Sequence, residues 1–272
     1  MIKFKKSMIQ AFDMTDLGKM RFFLGIEVLQ KPRGIFVCQQ KYANDVLKKF
    51  AMFESKPVKS LIVPGSKINK DVDGIIVDNT YFKQIVRSLI YLAATRPDIM
   101  FNVSLISRYM SKPTELHLQA AKRILLYLKG TTSYEIVYKK GEEENLLAFT
   151  DSDYAGDEDD FKSTSSYVFL LSSGAVSWMS KKQPIVTLSS TEAEFVVVAA
   201  NACQAMLYNS LFEINKATQF CTSSNTYTFY SYTRREDKDL RRVAKKIPSR
   251  HEDKDLRKAA NKRSPPGSKT KT

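Results

Sequence analysis

The chain has 272 residues, of which 43% are hydrophobic and 11% aromatic, enough for one large or two modest cores. No apolar run approaches the roughly 18 to 20 residues of a membrane span, and the opening MIKFKKSMIQAFDM has no long apolar stretch of the secretory kind. The net charge of +14 points to a polyanionic partner and is unevenly placed: residues 231–272 hold 15 Lys and Arg against 6 Asp and Glu. Three widely spaced cysteines, Cys38, Cys203 and Cys221, lack metal-ligand spacing and fit reduced thiols in an intracellular protein, nuclear or cytoplasmic.

In chain order, Lys5 to Phe12 reads as a helix, MTDLGK as a turn and RFFLGIEVLQ as a strand. KPRG then turns the chain into a second strand, IFVCQQ. YANDVLKKF sets Ala43, Val46, Leu47 and Phe50 at helical spacing, and residues 55–79, rich in Pro and Gly, read as a long connection. Apolar helices follow at Lys83–Ala94 and, after Pro97, at Asp98–Met110. A third, ELHLQAAKRILLYLKG, carries a buried stripe of Leu118, Ala121, Leu125 and Leu128, with Lys122, Arg123 and Lys129 off it and Gly130 as its C-cap. After Tyr134 the pattern changes to short strands: EIVYKK, LLAFTDSD, YVFLLSS, AVSWMS and PIVTLSS. Ser189 with Glu192 three residues on forms a capping box for a helix from Thr191 to Asn215. Beyond Gln219 the periodicity dissolves into a basic tail with EDKDLR twice, at Glu236–Arg241 and Glu252–Arg257, and a disordered end is expected.

Three long phrases carry a resemblance in order and spacing. FDMTDLGKMRFFLGIEV resembles the segment that follows the YVDD loop in the reverse transcriptase of copia-type retrotransposon Pol polyproteins. IYLAATRPDIMFNVSLISRYMSKPTELHLQAAKRILLYLKGT resembles their connection region, and FTDSDYAGD with KSTSSYVFLLSSGAVSWMSKKQPIVTLSSTEAEF their ribonuclease H domain. The resemblance covers about residues 1–215. It implies an α+β chain: a helical reverse-transcriptase connection segment over 1–135, an incomplete ribonuclease H-like α/β domain over 136–220, and a basic, low-order tail over 221–272. No YVDD occurs, so the carboxylates that two-metal polymerisation needs are missing from this sequence. Two departures concern packing. Arg87 stands where the family carries a Gly in VGSL, and Ser166 where it carries one in STSGY.

As the resemblance implies, a ribonuclease H cuts RNA in an RNA–DNA hybrid with two Mg²⁺ about 4 Å apart, held by acids converging from a central strand and adjoining helices. Asp151, at the polar end of LLAFT, matches the first metal ligand. On bare residues it is also an ordinary strand-ending aspartate. Glu194 in STEAEF matches the second catalytic and metal-binding acid, Glu192 fits better as the capping residue, and Asp153 is a further candidate ligand. The family's later aspartates, in a CDN strand and near a KHID phrase, have no counterpart: QFCTSSNTY stands there, and no Asp occurs between Glu194 and Asp237. The expected function is therefore a retrotransposon Pol piece without nuclease activity that binds nucleic acid weakly. The alternative is a working Mg²⁺-dependent ribonuclease H. Expected partners are an RNA–DNA hybrid or other nucleic acid, and other Pol-derived chains, but no membrane. Lys122, Arg123 and Lys129, with Lys181 and Lys182 in the WMSKKQP turn, are the candidate phosphate contacts. The acidic run Asp157–Asp160 reads as a solvated loop, and Trp178 as core packing.

Overall fold

The computed structural model describes residues 2–13, 15, 18–63, 65–141, 146–216 and 228–231, with side chains only between residues 5 and 208. The chain divides into two units, Met1–Thr233 and Arg234–Thr272; the described residues all belong to the first, and the EDKDLR repeats lie outside them.

Helix α1 (Ile2–Ala11) leads into a three-stranded meander, β1 (Phe22–Phe23), β2 (Ile26–Lys31) and β3 (Gly34–Cys38). RFFLGIEVLQ is thus not one strand. Leu24 and Gly25 both adopt positive φ, 47° and 74°, and fold β1 back so that Phe23 pairs with Ile26. The KPRG turn forms as expected: Lys31 and Gly34 close the hairpin around Pro32 and Arg33. Gly34 has φ +154° and lies so close to the Tyr138 carbonyl that no side chain fits there.

The helical part packs as the spacing predicted. Helix α2 (Gln40–Lys49) buries Ala43, Val46 and Leu47. Helix α3 (Asn79–Leu92) starts four residues before the apolar run, because the Asp78 carboxylate accepts the Thr80 N–H at 2.8 Å and caps it there. Pro97–Ile99 form a 3-10 turn before α4 (Met100–Ser107), and α5 (Glu115–Gly130) begins in a box made by Thr114 and the fully buried His117, whose Nδ1 accepts the Thr114 N–H at 2.9 Å. Leu47, Phe82, Ile85, Leu89, Ile124 and Leu128 form the centre of one core. Two expectations change here. Gly130 is the last helical residue and not a left-handed cap; a Cβ on it would sit 3.1 Å from Pro57, so its smallness serves the approach of the 55–60 segment. Arg87 points to solvent on α3 and crowds nothing.

Strand β4 (Ile136–Lys139) forms where EIVYKK predicts one, yet it pairs antiparallel with β3 and completes the first sheet, β1-β2-β3-β4. The second sheet contains β5 (Leu146–Ser152), β6 (Thr164–Leu171) and β7 (Gly174–Lys182), followed by α6 (Ser190–Lys216) and β8 (Thr228–Ser231). Its order is β7-β6-β5-β8, with β8 parallel to β5, so 228–231, expected in the low-order tail, contribute a strand. PIVTLSS forms none: Pro184 has no N–H to extend the ladder, and Thr187 instead turns its hydroxyl to Ser163 at 3.2 Å. Ser166 lies in extended β6 opposite Asp151, so the serine there carries no left-handed strain. Helix α6 covers one face of this sheet, with Ala205 packed on Ala148 and Phe169. No helix among the described residues is long and apolar enough to cross a membrane.

Candidate metal and nucleic-acid site

β5 is an inner strand, held by β6 on one side and β8 on the other, so the side chain at its polar end is set by two neighbours. Asp151 pairs with Ser166, which pairs with Ser180, and the Ser166 hydroxyl donates to the Ser180 hydroxyl at 3.1 Å along that row. Glu194, near the start of α6, is held against the same strand end and accepts the Ser152 N–H. Burial pushes its carboxyl above the ordinary value, the Asp151 charge pushes it further, and the Ser152 N–H offsets part of this. Its Oε2 is buried without a partner among the described residues. Asp151 and Glu194 thus lie beside each other.

The two rival acids have other work. Glu192 accepts the Leu188 N–H at 2.7 Å while its own N–H donates to Ser189 Oγ at 3.1 Å, so it caps α6. Asp153 accepts the Thr164 N–H and sits so close to Gly156 that a Cβ there would collide with it. It shapes the β5–β6 connection. A like-charged pair with one orphan oxygen fits a single divalent cation, since a cation would neutralise both charges and satisfy the oxygen. Among the described residues no group of three or more His, Cys, Asp or Glu is placed to hold a metal.

The candidate cations divide. Lys122 is half-buried and Lys181 exposed. Arg123 donates to Ser60 Oγ at 2.8 Å, and Lys129 lies 4.1 Å over the Phe53 ring, which Lys48 also approaches at 5.3 Å. Lys48 joins this basic face from the last turn of α2; nothing in its local sequence signals a ring shared with a residue eighty positions away. Lys182 is held at 2.7 Å by Asp157 and at 2.8 Å by Asp160. Burial alone would lower Lys182, but these two carboxylates outweigh it and raise it.

The acidic run is therefore not a solvated loop. Asp157 is buried, 4% exposed, between Lys182 and Arg108, the latter at 3.0 Å. Burial would raise it, but hydrogen bonds from Lys182, the Asp159 N–H and Arg108 hold it below the usual carboxylate range. Glu158 meets Lys67 at 3.2 Å and Asn69 at 3.1 Å, and Asp159 accepts the Lys70 N–H at 3.0 Å. Tyr109 reaches Asp159 at 3.3 Å, its phenol kept protonated by burial first and by that carboxylate second. The four acids clasp the sheet to α4 and to residues 67–70. Trp178 makes a second junction, donating its indole N–H to the Ala93 carbonyl at 2.9 Å beside an open groove of about 330 Å³ lined by Ile90, Ala93, Met100 and Val176.

Comparison with known proteins now places the chain. Residues 1–64 match the family described as reverse transcriptase (RNA-dependent DNA polymerase). The Pol polyprotein from transposon RE1 of Arabidopsis thaliana is 43% identical over 202 residues, 74% of this chain and 14% of that protein. The polyprotein from transposon TNT 1-94 of Nicotiana tabacum is 37% identical over 203 residues, 71% of this chain and 15% of that protein. An uncharacterised mitochondrial protein of Arabidopsis thaliana is 37% identical over 194 residues, 71% of this chain and 80% of its own length. The chain belongs to the copia-type retrotransposon Pol polyprotein family, and it spans about one seventh of the length of the polyproteins it matches. No solved structure matches it.

Proposed function

We propose that this Pol chain is a nucleic-acid-binding body carrying an incomplete ribonuclease H-like site without nuclease activity. In this reading residues 1–135 correspond to the end of the reverse transcriptase and its connection, and 136–220 to the ribonuclease H-like part, extended by β8. The observation that carries it is the meeting of Asp151, from the inner strand of the second sheet, with Glu194, from the helix laid on that sheet. Acids converging from a central strand and an adjoining helix are what metal-assisted hydrolysis of a phosphodiester requires.

The same observation supports inactivity. Asp151 and Glu194 would hold one Mg²⁺, whose chemistry when bound is to activate a water or to stabilise a leaving oxygen. Two carboxylates leave two adjacent divalent ions under-neutralised, and Asp153, the third candidate, serves the β5–β6 connection. For binding, Lys48, Lys122, Arg123, Lys129 and Lys181 supply the weak, sequence-independent phosphate contacts, and an intracellular location, nuclear or cytoplasmic, goes with this reading.

The test is incubation of the purified chain with an RNA–DNA hybrid and Mg²⁺ or Mn²⁺, beside an Asp151→Asn variant. The expected result is hybrid binding that weakens steeply with salt and no cleavage by either protein. Cleavage by the natural chain that disappears in the variant would establish the working ribonuclease H instead.

A further inference from the structure

Gln183 directly follows β7, and its side chain is buried, 3% exposed. The amide nitrogen lies 2.9 Å from Ser165 Oγ on β6, 3.2 Å from Ser152 Oγ on β5 and 3.0 Å from the Ala193 carbonyl in the first turn of α6. A carbonyl can only accept, so the Ala193 contact fixes which end of the amide is the donor there. The amide oxygen has no partner among the described residues. The side chain is therefore used for its donors.

Each of the three partners adjoins the acid pair. Ser152 follows Asp151 in β5 and gives its own N–H to Glu194, Ser165 is the register partner of Ser152, and Ala193 precedes Glu194 in α6. Apolar contact defines the place of α6 less sharply. Its buried apolar residues among those described, Ala193, Val197 and Ala205, are small, and attraction between such surfaces is non-directional. The connection leading into α6 adds little burial, since Ile185, Val186 and Leu188 are exposed. It is held by polar contacts instead: the Gln183 N–H donates to the Ser163 carbonyl at 2.8 Å, and the Tyr154 hydroxyl to the Leu188 carbonyl at 3.2 Å. The Gln183 amide joins β5, β6 and α6 at one point.

We propose, on the metal-site reading above, that Gln183 is the positioning residue of the Asp151–Glu194 pair. Its amide ties the first turn of α6 to the ends of β5 and β6, and so fixes the separation at which the two acids share one cation. The effect runs through Ala193 and Ser152, the chain neighbours of the two acids, as groups behind a metal site orient the ligands in front of them.

The test uses the whole chain, natural and as Gln183→Met, Gln183→Asn, Val197→Ala and Asp151→Asn. Mn²⁺ affinity is read by electron paramagnetic resonance, exchange of the Ser152 amide hydrogen by nuclear magnetic resonance, and stability by urea unfolding. Gln183→Met keeps the length of the side chain but removes its donors, and is expected to weaken Mn²⁺ binding about 10-fold. It is also expected to speed exchange at Ser152, whose N–H loses Glu194, while the β5–β6 ladder amides stay protected. Gln183→Asn, one methylene shorter with its donors kept, is expected to move both readouts the same way by less, and it decides the matter if the methionine variant does not fold. Val197→Ala opens a cavity in the same helix–sheet contact, so it is expected to lower stability and leave Mn²⁺ affinity unchanged. Equal loss of affinity in Val197→Ala and Gln183→Met would reduce the effect to general loosening and overturn the proposal. Unchanged affinity in both Gln183 variants, beside a clear loss in Asp151→Asn, would overturn it while leaving the metal reading intact. Mn²⁺ binding that Asp151→Asn does not weaken, or none at all, would overturn the metal reading. Ser152 exchange then tests the positioning by itself, and unchanged exchange in both Gln183 variants would overturn that too.

Discussion

Glu194 is buried beside Asp151 and its carboxyl is raised, first by burial and then by the neighbouring charge. A raised carboxyl binds its proton more tightly when folded, so between the unfolded value of about 4.3 and the higher folded value stability falls as pH rises, and above that window the penalty is constant. Glu194→Gln is therefore expected to raise the melting temperature at pH 7 in EDTA, with the difference shrinking towards nothing below about pH 4. Equal stabilisation at both pH values would show that the charge is not the cause. Asn201 presents a second penalty on the same helix face: it is fully buried, and neither its amide oxygen nor its nitrogen has a partner among the described residues. Burying an unsatisfied polar group costs roughly 1–3 kcal/mol, more than the small packing loss of a truncation, so Asn201→Ala is expected to stabilise by about 1 kcal/mol in urea unfolding. Asp151 and Glu194 are singled out by the resemblance of FTDSD and STEAEF; on bare residues Asp151 is an ordinary strand-ending aspartate. The strand end and the helix start that carry them were locally legible. The fates of Arg123, Lys129 and Lys182 were not, because whether a cation is solvated depends on Ser60, Phe53 and Asp157, none of them near it in sequence.

Elements were legible where one face is buried and one wet. α2, α5 and the strands β5 to β7 formed where periodicity of 3.6 or 2 predicts them. The misreadings share a cause: a local preference overruled by a distant partner or by a single backbone angle. RFFLGIEVLQ has the residues of a strand, but positive φ at Leu24 and Gly25 divides it. EIVYKK is a strand as expected, but nothing within it specifies β3 as its neighbour. Gly34 sits at that junction, and the prediction at this scale is that Gly34→Ala brings a methyl group against the Tyr138 carbonyl. The clash and the strained φ together are expected to cost about 1–3 kcal/mol, read as a lower urea midpoint with an unchanged m-value. Alanine at exposed Gly141, which has no atoms within 4 Å of a Cβ, has only its positive φ to overcome and is expected to cost less.

At the scale of the molecule, the acidic clasp ties sheet to helices through charge. Asp157 is depressed in the folded state, so its contribution is present above the unfolded value of about 3.9 and is lost as pH falls through the lower folded value. Acid unfolding is expected to begin below about pH 4, and Asp157→Asn, already neutral, is expected to flatten that part of the stability profile measured by circular dichroism. An unchanged acid limb would place the loss elsewhere.

The first sheet has a consequence in time. β3 is complete at Cys38, but its partner β4 lies about a hundred residues later, on the far side of four helices. At ordinary synthesis rates that separation amounts to roughly 5–20 s during which the β3 edge of the β1-β2-β3 meander stays unpaired. A meander whose first strand has only two residues is marginal alone, and Ile35, still 43% exposed in the finished fold, lies along that edge. The N-terminal strands therefore wait on the helices, and the interval before Lys139 emerges is when a nascent chain of this family is most open to pairing with a neighbour on the same polysome.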